Sequence, residues 1–467
     1  MQTIQTLSIH KFGGSCLKDS KSFEKTLKIV EKYKKDKLIF VCSALSNVTD
    51  FLLESADGIA AHKFEVEERI ESLRTRHLNL INEVLTNEKI KADAMNWLNT
   101  NLKRLSNMLC GVSEVGLMPR FQDFIASFGE RLSTYIYYSY LKTKGKPVVF
   151  FSGDDLIYTN SNALPIFDLT EKTIQEKVEP VLQEDKYPVV TGYIAADKEK
   201  HVTTLGRGGS DLTATLLGYS LHIPRRNVVV ILWKDVDGLL TANPKLEVKA
   251  KLIQHISYAE AREMAYFGSK ILHPLCIFPM EKREIPILLR NFENPDKLEY
   301  TTVEVTKEKK TGIVKAISVQ DSAMITVESD AMVSLPGTAA KVFEILGNSN
   351  VNVIMISQGS SENNITFLVE GKMGEKAKEV LRNSKFFGEQ WFNIKLDNNV
   401  ALLAIVGAGM AYTPGVAGRI FSALGRAGVN VRAIAQGSSE INISVAIESK
   451  DVKQAVHAIH EEFQLGD

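Results

Sequence analysis

Leu7-Ser-Ile-His-Lys-Phe12 runs into Gly13-Gly14, Ser20 to Tyr33 then carries Phe23, Leu27 and Val30 at helical spacing, and Lys37 to Cys42 is apolar again. A strand, a glycine turn, an amphipathic helix and a second strand make a β-α-β unit. The pattern returns at Pro147–Phe151, Tyr187–Ile194, Asp211–Leu221 and Asn227–Trp233. Such alternation predicts an α/β fold, a mainly parallel sheet covered by helices.

Between about residues 56 and 110 the pattern changes to long charged helices, in which Val66, Ile70, Leu73, His77, Leu80 and Ile81 mark an apolar side. They read as an insertion beside the main sheet. From Asn294 to Thr311 the chain is charged and polar, punctuated by Pro295 and Gly312. A boundary there divides a first domain, residues 1–295, from a second region, residues 296–467.

That second region holds an internal repeat. Ser334-Leu-Pro-Gly-Thr-Ala-Ala-Lys-Val-Phe-Glu-Ile-Leu346 aligns without a gap on Tyr412-Thr-Pro-Gly-Val-Ala-Gly-Arg-Ile-Phe-Ser-Ala-Leu424, and Gln358-Gly-Ser-Ser-Glu362 on Gln436-Gly-Ser-Ser-Glu440. Ala339, Val342, Phe343 and Leu346, like Ala417, Ile420, Phe421 and Leu424, give each copy an amphipathic helix. Ile365, Phe367 and Val369, like Ile443, Val445 and Ile447, alternate as in a half-buried strand. The expectation is two small α+β units that pack on each other or on a second subunit.

The chain has 467 residues, 44% hydrophobic and 24% charged, and its formal net charge is zero. This is the composition of a soluble protein of two or three domains, with nothing to attract nucleic acid or an anionic membrane. The longest apolar run, Val228 to Trp233, is too short to span a bilayer. Cys16, Cys42, Cys110 and Cys276 show no CxxC spacing and read as reduced thiols of a cytoplasmic protein. His, Cys and acidic residues show no ligand spacing that would build a zinc site.

Two glycine-rich segments lie where strands turn into helices. In Lys11-Phe-Gly-Gly-Ser15, Gly13 and Gly14 let backbone N–H groups approach a phosphate while Lys11 supplies charge, although an ordinary glycine turn accounts for the same residues. Thr204-Leu-Gly-Arg-Gly-Gly-Ser-Asp211 is sharper: three glycines with Arg207 between them cradle a ligand, and arginine suits bidentate capture of a carboxylate. Ser127-Phe-Gly-Glu-Arg-Leu-Ser133 interrupts an amphipathic helix, and Glu130 beside Arg131 reads equally as a ligand contact or as an ion pair on a solvated face. Trp233-Lys-Asp-Val-Asp-Gly238, followed by Asn243-Pro-Lys245, suits a nucleotide rim or any turn after a strand. Phe267-Gly-Ser-Lys-Ile-Leu-His273 places Lys270 before Pro274. In each repeat a Pro-Gly pair precedes a helix whose first N–H groups can receive a carboxylate. Asn352, Gln358 and Asn364, with Asn430, Gln436 and Asn442, add amides for an ammonium or hydroxyl.

Taken in order, these segments together with Ser43-Ala-Leu-Ser-Asn-Val-Thr49 resemble the aspartokinase family over nearly the whole chain. The resemblance implies an amino-acid-kinase α/β domain followed by two ferredoxin-like ACT-type units, about 318–396, and about 397–467 with 312–317. It implies transfer of the γ-phosphate of ATP, with Mg²⁺ carried by the nucleotide, to L-aspartate, the opening step towards lysine, threonine and methionine. Carried over by motif, Lys11 and Asp211 are catalytic, and Thr49, Glu130, Arg207 and Ser210 hold aspartate. Lys11, Gly13, Gly14, Ser15, Lys234, Asp235, Lys245 and Lys270 hold the nucleotide. Lys234 stands where the family usually has Thr. The six amides of the repeat would bind an amino-acid effector, threonine ranked before lysine, in a homodimer or dimer of dimers formed through the ACT-type units. A non-catalytic amino-acid sensor and a kinase of glutamate or N-acetylglutamate are the competing readings.

Overall fold

A computed structural model of the chain describes residues 5–267, 271–306, 312–330, 332, 335–358, 363–388 and 391–466. The chain forms two compact units. One comprises Met1–Gly238, Gln254–Tyr258 and Ile271–Val305, the other Leu239–Ile253, Ala259–Lys270 and Thr306–Asp467.

The first unit opens with β1 (Thr6–Phe12), α1 (Ser20–Lys32) and β2 (Lys37–Cys42). Asp19 starts α1 by accepting the Ser22 N–H at 2.8 Å, which satisfies one of the free donors of the first turn. Four helices follow, α2 (Val48–Ala60), α3 (Val66–Val84), α4 (Glu88–Val115) and α5 (Pro119–Thr143), and then β3 (Val148–Phe151). Next come α6 (Phe167–Lys177), α7 (Glu179–Gln183), β4 (Tyr187–Thr191) and a hairpin of β5 (Ile194–Ala196) and β6 (Val202–Thr204). They lead to α8 (Gly209–Ser220) and β7 (Asn227–Lys234). After β8 (His255–Ser257), α9 (Tyr258–Tyr266) falls mostly in the second unit, while α10 (Pro274–Arg283), β9 (Ile287–Asn291) and β10 (Thr301–Glu304) complete the first.

Eight strands form one sheet in the order β3-β4-β2-β1-β7-β9-β10-β8, parallel except where β9 meets β10. The strand order runs outwards from β1 both ways, to β2 and to β7. At such a switch point the connections leave in opposite directions and a crevice opens at the carboxyl ends of the strands. Helices α1 to α5 share one core with the sheet, Phe23, Leu52, Leu73, Leu102 and Leu132 packing with Phe12, Phe40 and Trp233. Helix α8 is buried around almost its whole circumference, so its sequence is small and apolar rather than amphipathic. A Cβ at Gly218 would stand 2.9 Å from Val230 Cγ2, and the glycine lets α8 settle on β7.

In the second unit the repeat is reproduced element by element. β11 (Ala316–Glu328) precedes α11 (Thr338–Asn348), β12 (Val353–Gln358), β13 (Asn364–Glu370) and α12 (Gly374–Arg382). β14 (Asn393–Val406) precedes α13 (Val416–Arg426), β15 (Val431–Gln436), β16 (Asn442–Glu448) and α14 (Val452–Glu462). Both Pro-Gly pairs become left-handed turns, with φ 89° at Gly337 and 87° at Gly415, directly before their helices. One six-stranded sheet, ordered β12-β13-β11-β14-β16-β15, carries both copies. β11 serves each: Ala316–Asp321 pairs with β14 alone, and most of the rest lies between β13 and β14. Each copy keeps its own core, one around Val342, Leu346 and Phe367 and the other around Ile420, Leu424 and Val445.

Candidate active site

Lys11 is next to last in β1, and Lys234 ends the neighbouring parallel strand β7, where Phe12 is opposite Trp233. Their side chains therefore leave the sheet at the same carboxyl edge. Asp211, in the first turn of α8, receives both. Lys11 Nζ stands 2.8 Å from Oδ1 as an ion pair, and Lys234 Nζ donates to Oδ2 at 2.7 Å. The three side chains are withdrawn from solvent, at 10%, 16% and 6% exposure. Burial on its own would raise the Asp211 pKa, but the two ammonium groups outweigh it and hold the carboxyl at about 2. Burial likewise opposes the charge on Lys11, and Asp211 more than restores it, so that the lysine pKa is raised.

Two glycines with φ 66° and 74°, Gly206 and Gly208, form the turn into α8. At Gly208 a Cβ would also stand 2.5 Å from the Cβ of His273, so a side chain there is excluded twice over. Arg207, between them, is exposed and makes no hydrogen bond or ion pair among the described residues. Ser210 is buried, its Oγ facing the backbone at Gly192. Across the crevice a Cβ at Gly14 would meet Ala44 O and Ser46 N at 2.7 Å, so the turn after β1 lies directly on the loop after β2. Gly13 is half-buried and Ser15 is exposed.

Helix α5 runs unbroken from Pro119 to Thr143, so the Ser127–Ser133 segment does not interrupt a helix. Nor is it a solvated face: Glu130 and Arg131 are both buried. Arg131 turns from Glu130 to Asp154 at 2.6 Å and to Ser152 at 2.9 Å. The i,i+1 spacing points the two side chains apart on the helix, which removes the ion pair suggested by their adjacency. Glu130 instead accepts the Ala44 N–H, and burial pushes its pKa up to about 8. Its Oε2 has no hydrogen-bond partner among the described residues. Half-buried Thr49 borders the same helix at Gly129.

The remaining sites of the sequence reading are dispersed. Asp235 is exposed beyond β7; Lys245 is exposed in the second unit; Lys270 lies outside the described residues. In the repeat, Asn352, Gln358, Asn430 and Gln436 are exposed, and Asn364 and Asn442 are half-buried. Asn364 donates to Asn363 at 3.0 Å, whereas Asn442 donates to Glu263 of α9 at 3.1 Å. Sequence reading missed the Lys234–Asp211 pair, the Arg131–Asp154 pair and the Ala44 N–H. Only Lys234 carried a signal, as a cation in a turn after a strand.

Residues 6–291 match the profile of the amino acid kinase family, and residues 325–384 and 403–463 that of the ACT domain. The chain is 33% identical over 98% of its length to a chloroplastic bifunctional aspartokinase/homoserine dehydrogenase 2 of Arabidopsis thaliana, of which it covers 51%. It spans about half the length of the first curated relatives it matches. Among solved structures it is similar to the aspartate kinase of Clostridium acetobutylicum, at 27% identity and a TM-score of 0.78, covering 98% of this chain and 100% of that one. E. coli aspartokinase III in complex with lysine and aspartate matches at 25% identity and a TM-score of 0.78, covering 98% and 99%. Among the described residues no helix is long and apolar enough to cross a membrane.

Proposed function

The chain belongs to the amino acid kinase family, and from that premise we propose that it is an aspartate kinase, converting ATP and L-aspartate to ADP and 4-phospho-L-aspartate. The observation that carries this reading is the buried Lys11–Asp211 centre at the carboxyl edge of a parallel sheet, with a Glu130 oxygen in the same unit that is unpaired among the described residues. Phosphoryl transfer asks for positioned charge more than for covalent help, and a water-poor cation centre supplies it. Lys11 steadies charge developing on the transferred group, and Asp211 fixes the lysine. Gly13, Gly14 and Ser15 offer backbone and hydroxyl donors to the phosphates, and Asp235, Lys245 and Lys270 belong to the nucleotide side. Mg²⁺ enters as part of the MgATP substrate, since both oxygens of Asp211 already face ammonium groups.

Aspartate is held at both ends. Arg207, planar and without a hydrogen-bond or ion-pair partner among the described residues, grips a carboxylate; Glu130 Oε2 receives the ammonium; Thr49 and Ser210 orient the rest. The side-chain carboxylate is ionised at neutral pH and attacks without a base. The repeat then serves as the regulatory region. Its exposed Gln358 and Gln436, with Asn352, Asn430, Asn364 and Asn442, take an end-product amino acid, threonine ranked before lysine, in a homodimer or dimer of dimers. In support of lysine, one matched structure is an aspartokinase bound to it.

Aspartate-dependent ADP release, with glutamate and N-acetylglutamate as controls, tests the activity. Release with aspartate alone is expected. Equal release with a control, or none with aspartate, overturns the assignment. The same assay with threonine, lysine, methionine and isoleucine tests the regulation, where a coupling of about 1–3 kcal/mol changes aspartate affinity 5- to 150-fold. No response to any of the four at millimolar concentration removes the regulatory reading.

A further inference from the structure

Thr204, the last residue of β6, is buried, and its hydroxyl donates to Asp123 Oδ1 of helix α5 at 2.7 Å. Asp123 is half-buried and has no ion-pair partner among the described residues. Burial raises its pKa, and the Thr204 hydroxyl works against that rise. A carboxylate in such a place adds little to the fold. What its hydrogen bond does is join two segments of the site. Asp123 and Glu130 are seven residues apart, close to two helical turns, so both carboxyls leave one side of α5. Thr204 in turn opens the glycine turn that carries Arg207. Leu205 is buried and donates its N–H to Tyr193 O at 2.8 Å, and the Gly209 N–H closes on Gly206 O at 3.0 Å. So short and fastened a turn passes a shift at Thr204 on to Arg207. Tyr193 lies between the turn and the helix. Burial raises its phenol pKa, the Thr204 hydroxyl opposes the rise, and Glu130 and Asp123 add to it, so all four groups border one space. Its φ of 67° is a left-handed conformation that a bulky residue adopts at a cost, and its N–H is held by the Thr213 hydroxyl at 3.1 Å.

We propose that Asp123 is a positioning residue: through Thr204 it fixes the glycine turn of Arg207 against the helix of Glu130, and so sets the span between the two grips on the acceptor. This rests on the aspartate kinase reading of the same site and adds to it a determinant of acceptor length. Glutamate is longer than aspartate by one methylene and needs the grips further apart. A single methylene is poorly discriminated by apolar contact, so the selectivity has to come from how firmly the charged ends are held. With the tether cut, Arg207 is free to move away from Glu130. Aspartate is then held less well, and glutamate is excluded less.

Steady-state kinetics with aspartate and glutamate, together with backbone hydrogen exchange, test the tether on the full chain, its Asp123→Ala and Asp123→Asn variants, and Thr204→Val. KM for aspartate should rise about 10-fold in Asp123→Ala and in Thr204→Val, with KM for ATP and kcat within about twofold of the parent. Preference for aspartate over glutamate, read as kcat/KM, should fall by about the same factor. Asp123→Asn keeps an acceptor at Oδ1 and should recover most of both. Exchange at Gly206–Gly209 should quicken in Asp123→Ala and stay near the parent in Asp123→Asn. An unchanged KM for aspartate in Asp123→Ala and Thr204→Val overturns the proposal. So does an equal rise of KM for ATP, which would mark general damage to the site. If Asp123→Ala does not fold, Thr204→Val against Thr204→Ser gives the same comparison in both measurements. The exchange result stands apart from the aspartate assignment: a parent inactive with aspartate refutes that assignment, whereas unaltered exchange at the turn refutes the tether whatever the acceptor.

Discussion

In the first unit Lys11, Glu130, Asp211 and Lys234 are withdrawn from water, whereas in the second Asn352, Gln358, Asn430 and Gln436 stand at the surface. The two arrangements answer to different physics. A buried ion must be paired or neutralised, and Lys11 and Asp211 each keep their charge against burial through the opposite charge beside them. An exposed amide has water as a partner and holds no neighbour in place. The first centre is therefore fragile and single, and the second is robust and could be copied. Substitutions in one should disturb charge, turnover and stability together, and substitutions in the other only the response to a ligand.

The sharpest attempt to break this contrast removes the shared carboxylate. Asp211→Ala leaves two buried ammonium groups facing each other, and unfolding free energy should fall by about 3–5 kcal/mol. Turnover should fall by about 10²-fold or more, as it should in Lys11→Ala. Gln358→Ala with Gln436→Ala should shift stability by no more than about 0.5 kcal/mol. Denaturant unfolding and steady-state kinetics on the same samples read both. Comparable destabilisation by the Asp211 and glutamine variants would abolish the distinction.

Glu130 offers a smaller effect and one that depends on pH. Its folded pKa of about 8 lies above the ordinary 4.5, so the folded chain keeps a proton that the unfolded chain has lost. Stability should therefore fall as pH rises from about 4.5 to 8 and level off above, and Glu130→Gln should remove that slope. An ammonium brought to Oε2 favours the ionised form. KM for aspartate should accordingly fall several-fold between pH 6 and 8 in the parent and stay flat in Glu130→Gln. A parent KM that does not move over this range would deny Glu130 its place at the ammonium. The exposed glutamines predict no such profile in either quantity.

What could be read beforehand follows the same division. The repeat was legible because its signal is local: periodicity, a Pro-Gly turn and a gapless register recur in one direction along the chain. The parallel sheet was legible for the same reason, each β-α-β unit announcing itself over about 30 residues. Lys11 and Asp211 were marked by the glycines beside them. That Lys234 closes on Asp211 was not legible, since it depends on β7 lying next to β1, a pairing between residues more than 200 positions apart. Adjacency in sequence also misled at Glu130 and Arg131, which one helix sends to different partners.

The finest test asks whether the two copies of the repeat are equivalent where their sequences agree. Asn364 and Asn442 occupy matching first positions of β13 and β16. Among the described residues the Asn364 side chain donates to the side chain of its neighbour Asn363, an arrangement solvent can replace. Asn442 donates to Glu263, whose carboxyl burial raises in pKa and which the amide helps to keep ionised, and also to Ser444 at 3.2 Å. Removing Asn442 leaves a partly buried carboxylate with one donor fewer. Asn442→Ala should thus cost about 1 kcal/mol, and Asn364→Ala less than about 0.5 kcal/mol. Adding Glu263→Gln, which restores a neutral partner, should make the Asn442→Ala loss smaller, whereas for two independent sites the losses would simply add. Denaturant midpoints of Asn364→Ala, Asn442→Ala, Glu263→Gln and the Asn442→Ala, Glu263→Gln double variant decide it. Equal costs for Asn364 and Asn442 would mean that the copies are alike in energy as well as in fold, and that the α9 contact holds nothing in place.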